Sequence, residues 1–96
     1  MFGRQKTISC PGGQWTTVIH TRFAQIPVSW TLSIQDGTNL IGEFEETKSS
    51  WIFPGTPLKG PLQAQMRFDR GYWNTFYKVR VFPVDTITLV LESSLG

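Results

Sequence analysis

Hydrophobic side chains at every second position constrain the fold of this chain more than any other feature of its sequence. Residues 28–34 read VSWTLSI, so that valine, tryptophan, leucine and isoleucine alternate with serine and threonine. The same alternation recurs in residues 62–69 and 86–92, and no window shows apolar residues sustained at helical spacing. Period-two alternation is typical of a strand with one buried and one solvated face, so these segments predict an all-β protein.

Further strands are predicted at residues 6–10, 15–21, 40–47, 51–53 and 72–82, because turn-forming residues separate them. Residues 53–61 (FPGTPLKGP) contain three prolines and two glycines, which favour a semi-rigid loop without ladder pairing. Seven or eight short strands at this spacing predict a single antiparallel β-sandwich or a small β-barrel. The turn signals are Pro11-Gly12-Gly13, Asp36-Gly37, Arg70-Gly71, and Pro83 followed by Asp85.

The size and composition favour one soluble domain that covers residues 1–96. A chain of 96 residues has room for one core, and 40% hydrophobic with 17% charged residues is typical of a globular protein. One cysteine cannot form an internal disulfide, and no segment has the apolar run of a signal peptide or a membrane span. We therefore expect an intracellular or virion-associated protein, neither classically secreted nor bound to a membrane.

Cys10 and His20 are the first candidate catalytic pair. They would meet if residues 6–10 and 15–21 formed a hairpin, in which Pro11 and Gly12 suit the second and third positions of a type II turn. A lone cysteine on a strand is more typical of a small buried hydrophobic residue, so we favour a structural role for it.

Glu43 and Glu45 are the second candidate pair, because residues two apart on a strand point the same way, as the carboxylates of a glycosidase must. A solvated face or a charged edge strand is the more common origin of such a cluster. One histidine with scattered carboxylates also falls short of a closed metal site. We therefore expect no enzymatic activity, no metal and no cofactor.

The segment from residue 67 to residue 82 (RFDRGYWNTFYKVRVF) predicts a binding surface, since its faces differ in chemistry. If the residues at odd positions from Trp73 to Val81 face the core, the opposite face combines aromatic and cationic side chains. Single-stranded nucleic acid could stack on such a face, with Arg67 among the phosphate contacts, and a glycan could lie on an aromatic platform. A protein interface is the third alternative, since aromatic residues and arginine are enriched there. The mixed face comprises Asn74, Phe76, Lys78, Arg80 and Phe82.

The interface alternative also accounts for the proline-rich loop and for the 14% of aromatic residues, more than a small core readily holds. The sequence therefore favours a non-enzymatic structural protein that acts in many copies, most concretely a small virion component such as a minor capsid or decoration protein. Its partners would be protein, either further copies or a larger assembly. A module that binds single-stranded nucleic acid or glycan is the alternative. The interface residues predicted are Trp51, Phe53, Arg67, Phe76, Lys78, Arg80, Phe82, Glu43 and Glu45, with Lys78 and Arg80 paired to Glu43 and Glu45 of a neighbour.

Overall fold

Eight antiparallel strands form the regular structure of the described chain. The computed structural model describes residues 3–22, 28–36, 40–49, 55–69 and 76–95, and the statements below concern these residues. The predicted strand at residues 51–53 lies outside them. The strands are β1 (Gly3–Cys10), β2 (Thr16–Arg22), β3 (Val28–Asp36), β4 (Gly42–Ser49), β5 (Leu58–Pro61), β6 (Gln65–Asp69), β7 (Phe76–Pro83) and β8 (Ile87–Leu95).

The strands pair into two four-stranded sheets, which confirms the predicted all-β sandwich and excludes the small barrel. One sheet has the order β1-β8-β3-β6 and is called the β1 sheet; the other has the order β2-β7-β4-β5 and is called the β2 sheet. The first strand thus pairs with the last, the second with the seventh, the third with the sixth and the fourth with the fifth. A long hairpin rolled into two layers has this connectivity, which is that of an eight-stranded jelly roll.

The core lies between the sheets and is formed by the inward residues that the alternation predicts. On β7, Tyr77, Val79 and Val81 are fully buried, whereas the residues between them are half-buried and face outward. The Tyr77 ring stacks on Trp30 of the opposite sheet, with centroids 5.3 Å apart and ring planes 10° apart. The buried hydrophobic residues are Cys10, Val18, Ile19, Trp30, Leu32, Leu62, Met66, Phe68, Tyr77, Val79, Val81, Ile87 and Leu89.

Strand β5 contradicts part of the loop predicted for residues 53–61. Residues 58–61 pair with β4, with Lys59 opposite Glu45 and Gly60 opposite Phe44. A proline is compatible with this strand because β5 is the edge of its sheet, where one side of the backbone needs no ladder bond. Gly60 also leaves room for its neighbour, since a Cβ there would lie 2.6 Å from the Phe44 ring.

The link from β1 to β2 also differs from the prediction. It carries the chain from one sheet to the other, so β1 and β2 do not form a hairpin. Gly13, not Gly12, has the positive φ of 77°, which contradicts a type II turn with Gly12 in third position. The Gly13 N–H donates to the Pro83 carbonyl at 2.8 Å, and the Gly12 N–H donates to Thr86 Oγ1 at 3.1 Å. The link is therefore anchored on the connection between β7 and β8.

Candidate functional site

The outward side of the β2 sheet, called here the outer face, gathers most of the predicted interface residues. Lys78, Arg80 and their alternate neighbours on β7 point to it, and the register with β4 places Glu45 opposite Arg80 and Thr47 opposite Lys78. Six of the nine predicted interface residues lie on this face. They are Phe76, Lys78, Arg80, Phe82, Glu43 and Glu45.

Arg80 and Glu45 pair with each other within one chain, which contradicts their predicted pairing with a neighbouring copy. The Arg80 Nε donates to Glu45 Oε1 at 2.7 Å, and Lys59 Nζ lies 3.9 Å from Glu45 Oε2. The glutamate side chain is 8% exposed and that of Arg80 is 32% exposed. The hydrogen bond from Arg80, with its charge, holds the pKa of Glu45 below its usual range although burial opposes this shift. The pair therefore forms a satisfied centre of the outer face.

Trp15 completes this centre, and the sequence interpretation assigned it no such role. The Arg80 guanidinium carbon lies 4.3 Å from the centroid of the Trp15 ring, in cation–π geometry. Phe82 meets the same indole edge to face, with centroids 5.3 Å apart and an angle of 61° between the rings. Trp15 immediately precedes β2, whose neighbour is β7, and only that long-range pairing brings the indole to Arg80.

The two ends of the outer face carry charges of opposite sign. At the β4 start, Glu43 is exposed and lies between Phe82 and Pro61 of the adjacent strands. Towards the other end, Lys78 lies between Thr47 and His20. Neither Glu43 nor Lys78 forms an ion pair with any residue of the described chain.

Two further aromatic rings lie beside Lys78 on the outer face. The His20 ring meets Phe76 edge to face at 5.2 Å, and both rings belong to the outer face. His20 is exposed and Phe76 is half-buried. This end therefore offers a cationic side chain beside an accessible aromatic pair.

An apolar end adjoins Glu43 and is defined by Leu40, Ile41 and Val84. Ile41 is 59% exposed, Val84 is 52% exposed, and Leu40 is also exposed. The Val84 N–H donates to the Ile41 carbonyl at 2.8 Å, so the two connections that bear these residues touch. Large apolar side chains grouped at one end of a small domain are typical of a contact surface.

Of the three remaining predicted interface residues, the structure describes one, and it does not lie on the outer face. Arg67 lies on β6 of the β1 sheet, where it is paired with Asp69 at 3.6 Å and its side chain is 70% exposed. Its assignment to the same surface as Lys78 is therefore wrong, because β6 and β7 belong to different sheets. Trp51 and Phe53 fall outside the described residues.

The structure separates the first candidate catalytic pair and places an arginine against one member of the second. Cys10 is fully buried in the β1 sheet, where burial raises the pKa of its thiol, and His20 is exposed on the outer face of the other sheet. A glycosidase-type acid needs a raised pKa, but Arg80 lowers that of Glu45. Among the described residues no cluster of His, Cys, Asp and Glu suits a metal ion, and no helix is long and apolar enough to span a membrane.

Comparison with known proteins identifies relatives in fold only. No protein-family model matches the chain, and no curated protein matches it in sequence. The SPBc2 prophage-derived protein YomS matches with a TM-score of 0.57 and 8% identity over 100% of this chain and 96% of its own. A protein of Bacillus endospore appendages, a novel family of disulfide-linked pili, matches with a TM-score of 0.50 and 13% identity over 96% and 84% of the two chains.

A third solved structure is PliG of Aeromonas hydrophila, a periplasmic inhibitor of g-type lysozyme. It matches with a TM-score of 0.52 and 14% identity over 98% of this chain and 86% of its own. A pilus protein and a lysozyme inhibitor thus share one fold with a prophage-derived protein, as expected for a fold that hosts many sites. The similarity therefore describes the architecture of this chain and leaves its activity to be argued from the site.

Proposed function

We propose that this protein is a non-enzymatic structural subunit that works in many copies, most concretely a small virion component such as a minor capsid or decoration protein. The observation that carries the proposal is the continuity of the outer face with the apolar end. Exposed Ile41 and Val84 directly adjoin β4 and β7, and their backbones are hydrogen-bonded to each other next to the strand ends that carry Glu43 and Phe82.

The chemistry of this surface suits contact with protein. Interfaces are enriched in tryptophan, tyrosine, phenylalanine and arginine at their centre, with polar groups at the rim. Here Trp15, Arg80 and Phe82 are already held against each other, so little side-chain freedom remains to be lost on binding. A preorganised aromatic centre beside exposed Ile41 and Val84 is what a subunit contact requires.

The fold relatives support the same class of function. One is a prophage-derived protein and another belongs to endospore pili, and jelly rolls are frequent among capsid proteins. The link between subunits would differ from that of the disulfide-linked pili, because the single cysteine here is buried in the core. Assembly of this chain would therefore depend on non-covalent contacts, by which many identical copies associate.

The first experiment measures the native mass of the protein by light scattering over a range of protein and salt concentrations. We expect a discrete oligomer or a larger particle, and we expect Phe82→Ala and Ile41→Ser to shift it towards the monomer. Arg67→Ala is the matched control, since it changes an exposed side chain of the opposite sheet. A wild-type protein that stays monomeric under all these conditions contradicts self-assembly.

A ligand-binding module is the second candidate, and the group formed by Lys78, His20 and Phe76 favours it. An accessible ring beside a cation suits a nucleobase and its phosphate, or a glycan stacked on the ring. Fluorescence titration with oligonucleotides at low and high salt separates these ligands, because phosphate binding weakens steeply with salt and stacking of a neutral sugar does not. Failure of both ligands to bind at low salt eliminates this candidate.

A further inference from the structure

The two unpaired charges of the outer face cannot satisfy each other within one molecule. Glu43 lies opposite Phe82, and Lys78 is four residues before Phe82 on β7. At about 3.3 Å per residue, the separation along the strands is about 13 Å, which is beyond the reach of an ion pair. The Arg80–Glu45 pair lies midway between them.

This arrangement is self-complementary under a twofold rotation. Two copies can stack their outer faces with the axis in the plane between them, perpendicular to the strands and level with the Arg80–Glu45 pair of each copy. Positions at equal distance on either side of that pair then exchange, so Glu43 of one copy comes beside Lys78 of the other, and the reverse contact forms too. The same rotation places Phe76 of each copy against Val84 of the other.

We propose that the outer face is an isologous interface between two copies of this chain, closed by reciprocal Glu43–Lys78 contacts. The inference rests on the proposed structural role and specifies its first contact. Opposite charges meet opposite charges, and Phe76 meets the apolar end, so each copy supplies what the other lacks. The Arg80–Glu45 pairs face each other across the axis, where each Glu45 offsets part of the repulsion between the arginines and between the Lys59 side chains that adjoin it.

The area of the face is compatible with such a dimer. The strands lie about 4.8 Å apart, and β2, β7, β4 and β5 have seven, eight, eight and four residues, so they cover roughly 430 Å² and two faces bury roughly 850 Å². Interfaces below about 1,200 Å² are typical of weak and transient contacts, which dissociate readily. We therefore expect a dimer whose population depends on protein concentration.

Charge exchange provides the test, with sedimentation velocity as the readout. Glu43→Lys and Lys78→Glu each turn two attractive contacts into repulsive ones, so each variant alone is expected to dissociate at least about tenfold more readily. The double variant restores both attractive contacts with the two charges exchanged between the positions. An equimolar mixture of the two single variants forms a heterodimer, because one copy then carries two cations and the other two carboxylates. Glu92→Lys, on the exposed side of the β1 sheet, changes the charge equally and leaves dimerisation intact.

Each result decides between the two proposals. If the protein assembles but ignores both single changes, or if the double variant and the mixture fail to recover, the reciprocal contact is refuted while self-assembly stands. Species that grow past the dimer as the concentration rises, and that respond to both changes, show an open head-to-tail contact and refute the twofold one. A protein that is monomeric throughout overturns the proposed assembly and this interface with it. Thermal melting of every variant establishes that the changes leave the fold intact.

Discussion

The hydroxyl of Tyr77 gives the sharpest prediction about stability. The Tyr77 hydroxyl donates to the Glu46 carboxylate, while the ring is fully buried and stacked on Trp30. Tyr77→Phe removes the donor and keeps the ring, so no large cavity forms. A hydrogen bond to a charged group contributes about 1.5 to 3 kcal/mol, and partly exposed Glu46 regains water when the bond is lost. We therefore expect a loss near the lower end, about 1.5 to 2 kcal/mol.

Guanidinium chloride unfolding at neutral pH, followed by tryptophan fluorescence, measures this loss. In a domain of this size it corresponds to a decrease in melting temperature of about 6 to 16 °C. The denaturant m-value is expected to stay constant, because the same surface becomes exposed on unfolding. Glu46→Gln keeps an acceptor without the charge, and a double-mutant cycle with Tyr77→Phe gives the coupling between the two groups. A loss below about 0.5 kcal/mol, or strictly additive effects of the two changes, would refute the contribution of this hydrogen bond.

Further predictions concern the core and the backbone. In the native protein Cys10 is expected to react with iodoacetamide at least about a hundredfold more slowly than in denaturant, since alkylation requires opening of the β1 sheet; equal rates would contradict its burial. Gly42→Ala is expected to cost at least about 2 kcal/mol in denaturant unfolding, because φ is 154° and a Cβ would lie 2.3 Å from the Phe82 carbonyl. Gly13→Ala, with φ 77° and open space around it, is expected to cost only about 1 to 2 kcal/mol, so a larger loss than for Gly42→Ala would be contrary to this argument. Burial and the neighbouring carboxylate raise the pKa of Tyr77. Below about pH 10 the Tyr77 hydroxyl therefore keeps its proton in both the folded and the unfolded state. Above about pH 10 only the unfolded state loses this proton, so the free energy of unfolding falls by about 1.4 kcal/mol per pH unit. Unfolding curves of Tyr77→Phe should lack this slope.

The alternation of side chains predicted which face each strand residue takes. It placed Tyr77 and Val79 inside and Lys78 and Arg80 outside, because the choice between core and solvent is local to the strand. It also identified most strands to within a few residues, although the one predicted from residue 62 begins at Gln65. The fold class followed from these local signals.

Strand partners are not encoded in that alternation, and the errors in the site follow from this. Arg67 and Lys78 share a cation-rich segment of sequence but belong to opposite sheets, since the chain crosses between layers after β6. Arg80 reaches Glu45 through the register of β7 on β4, which depends on residues more than 30 positions apart. Trp15 lies in the site because β2, which it precedes, pairs with β7 over a similarly long distance in the chain. Strand β5 was missed because its proline content masks an edge strand.

The mirrored pairing of strands has a consequence for how the chain acquires its structure during synthesis. Strand β8 lies between β1 and β3 in the β1 sheet and is hydrogen-bonded to both. It is also the last of the eight strands to leave the ribosome, so β1 and β3 cannot form their hydrogen bonds with β8 until β8 has been translated. The β4–β5 pair is the most local one of the described strands and can form earlier. Folding of this domain is therefore expected to finish only after β8 has left the ribosome, at the slow rates of proteins whose pairings join distant segments, and truncation of β8 should leave a chain that depends on chaperones.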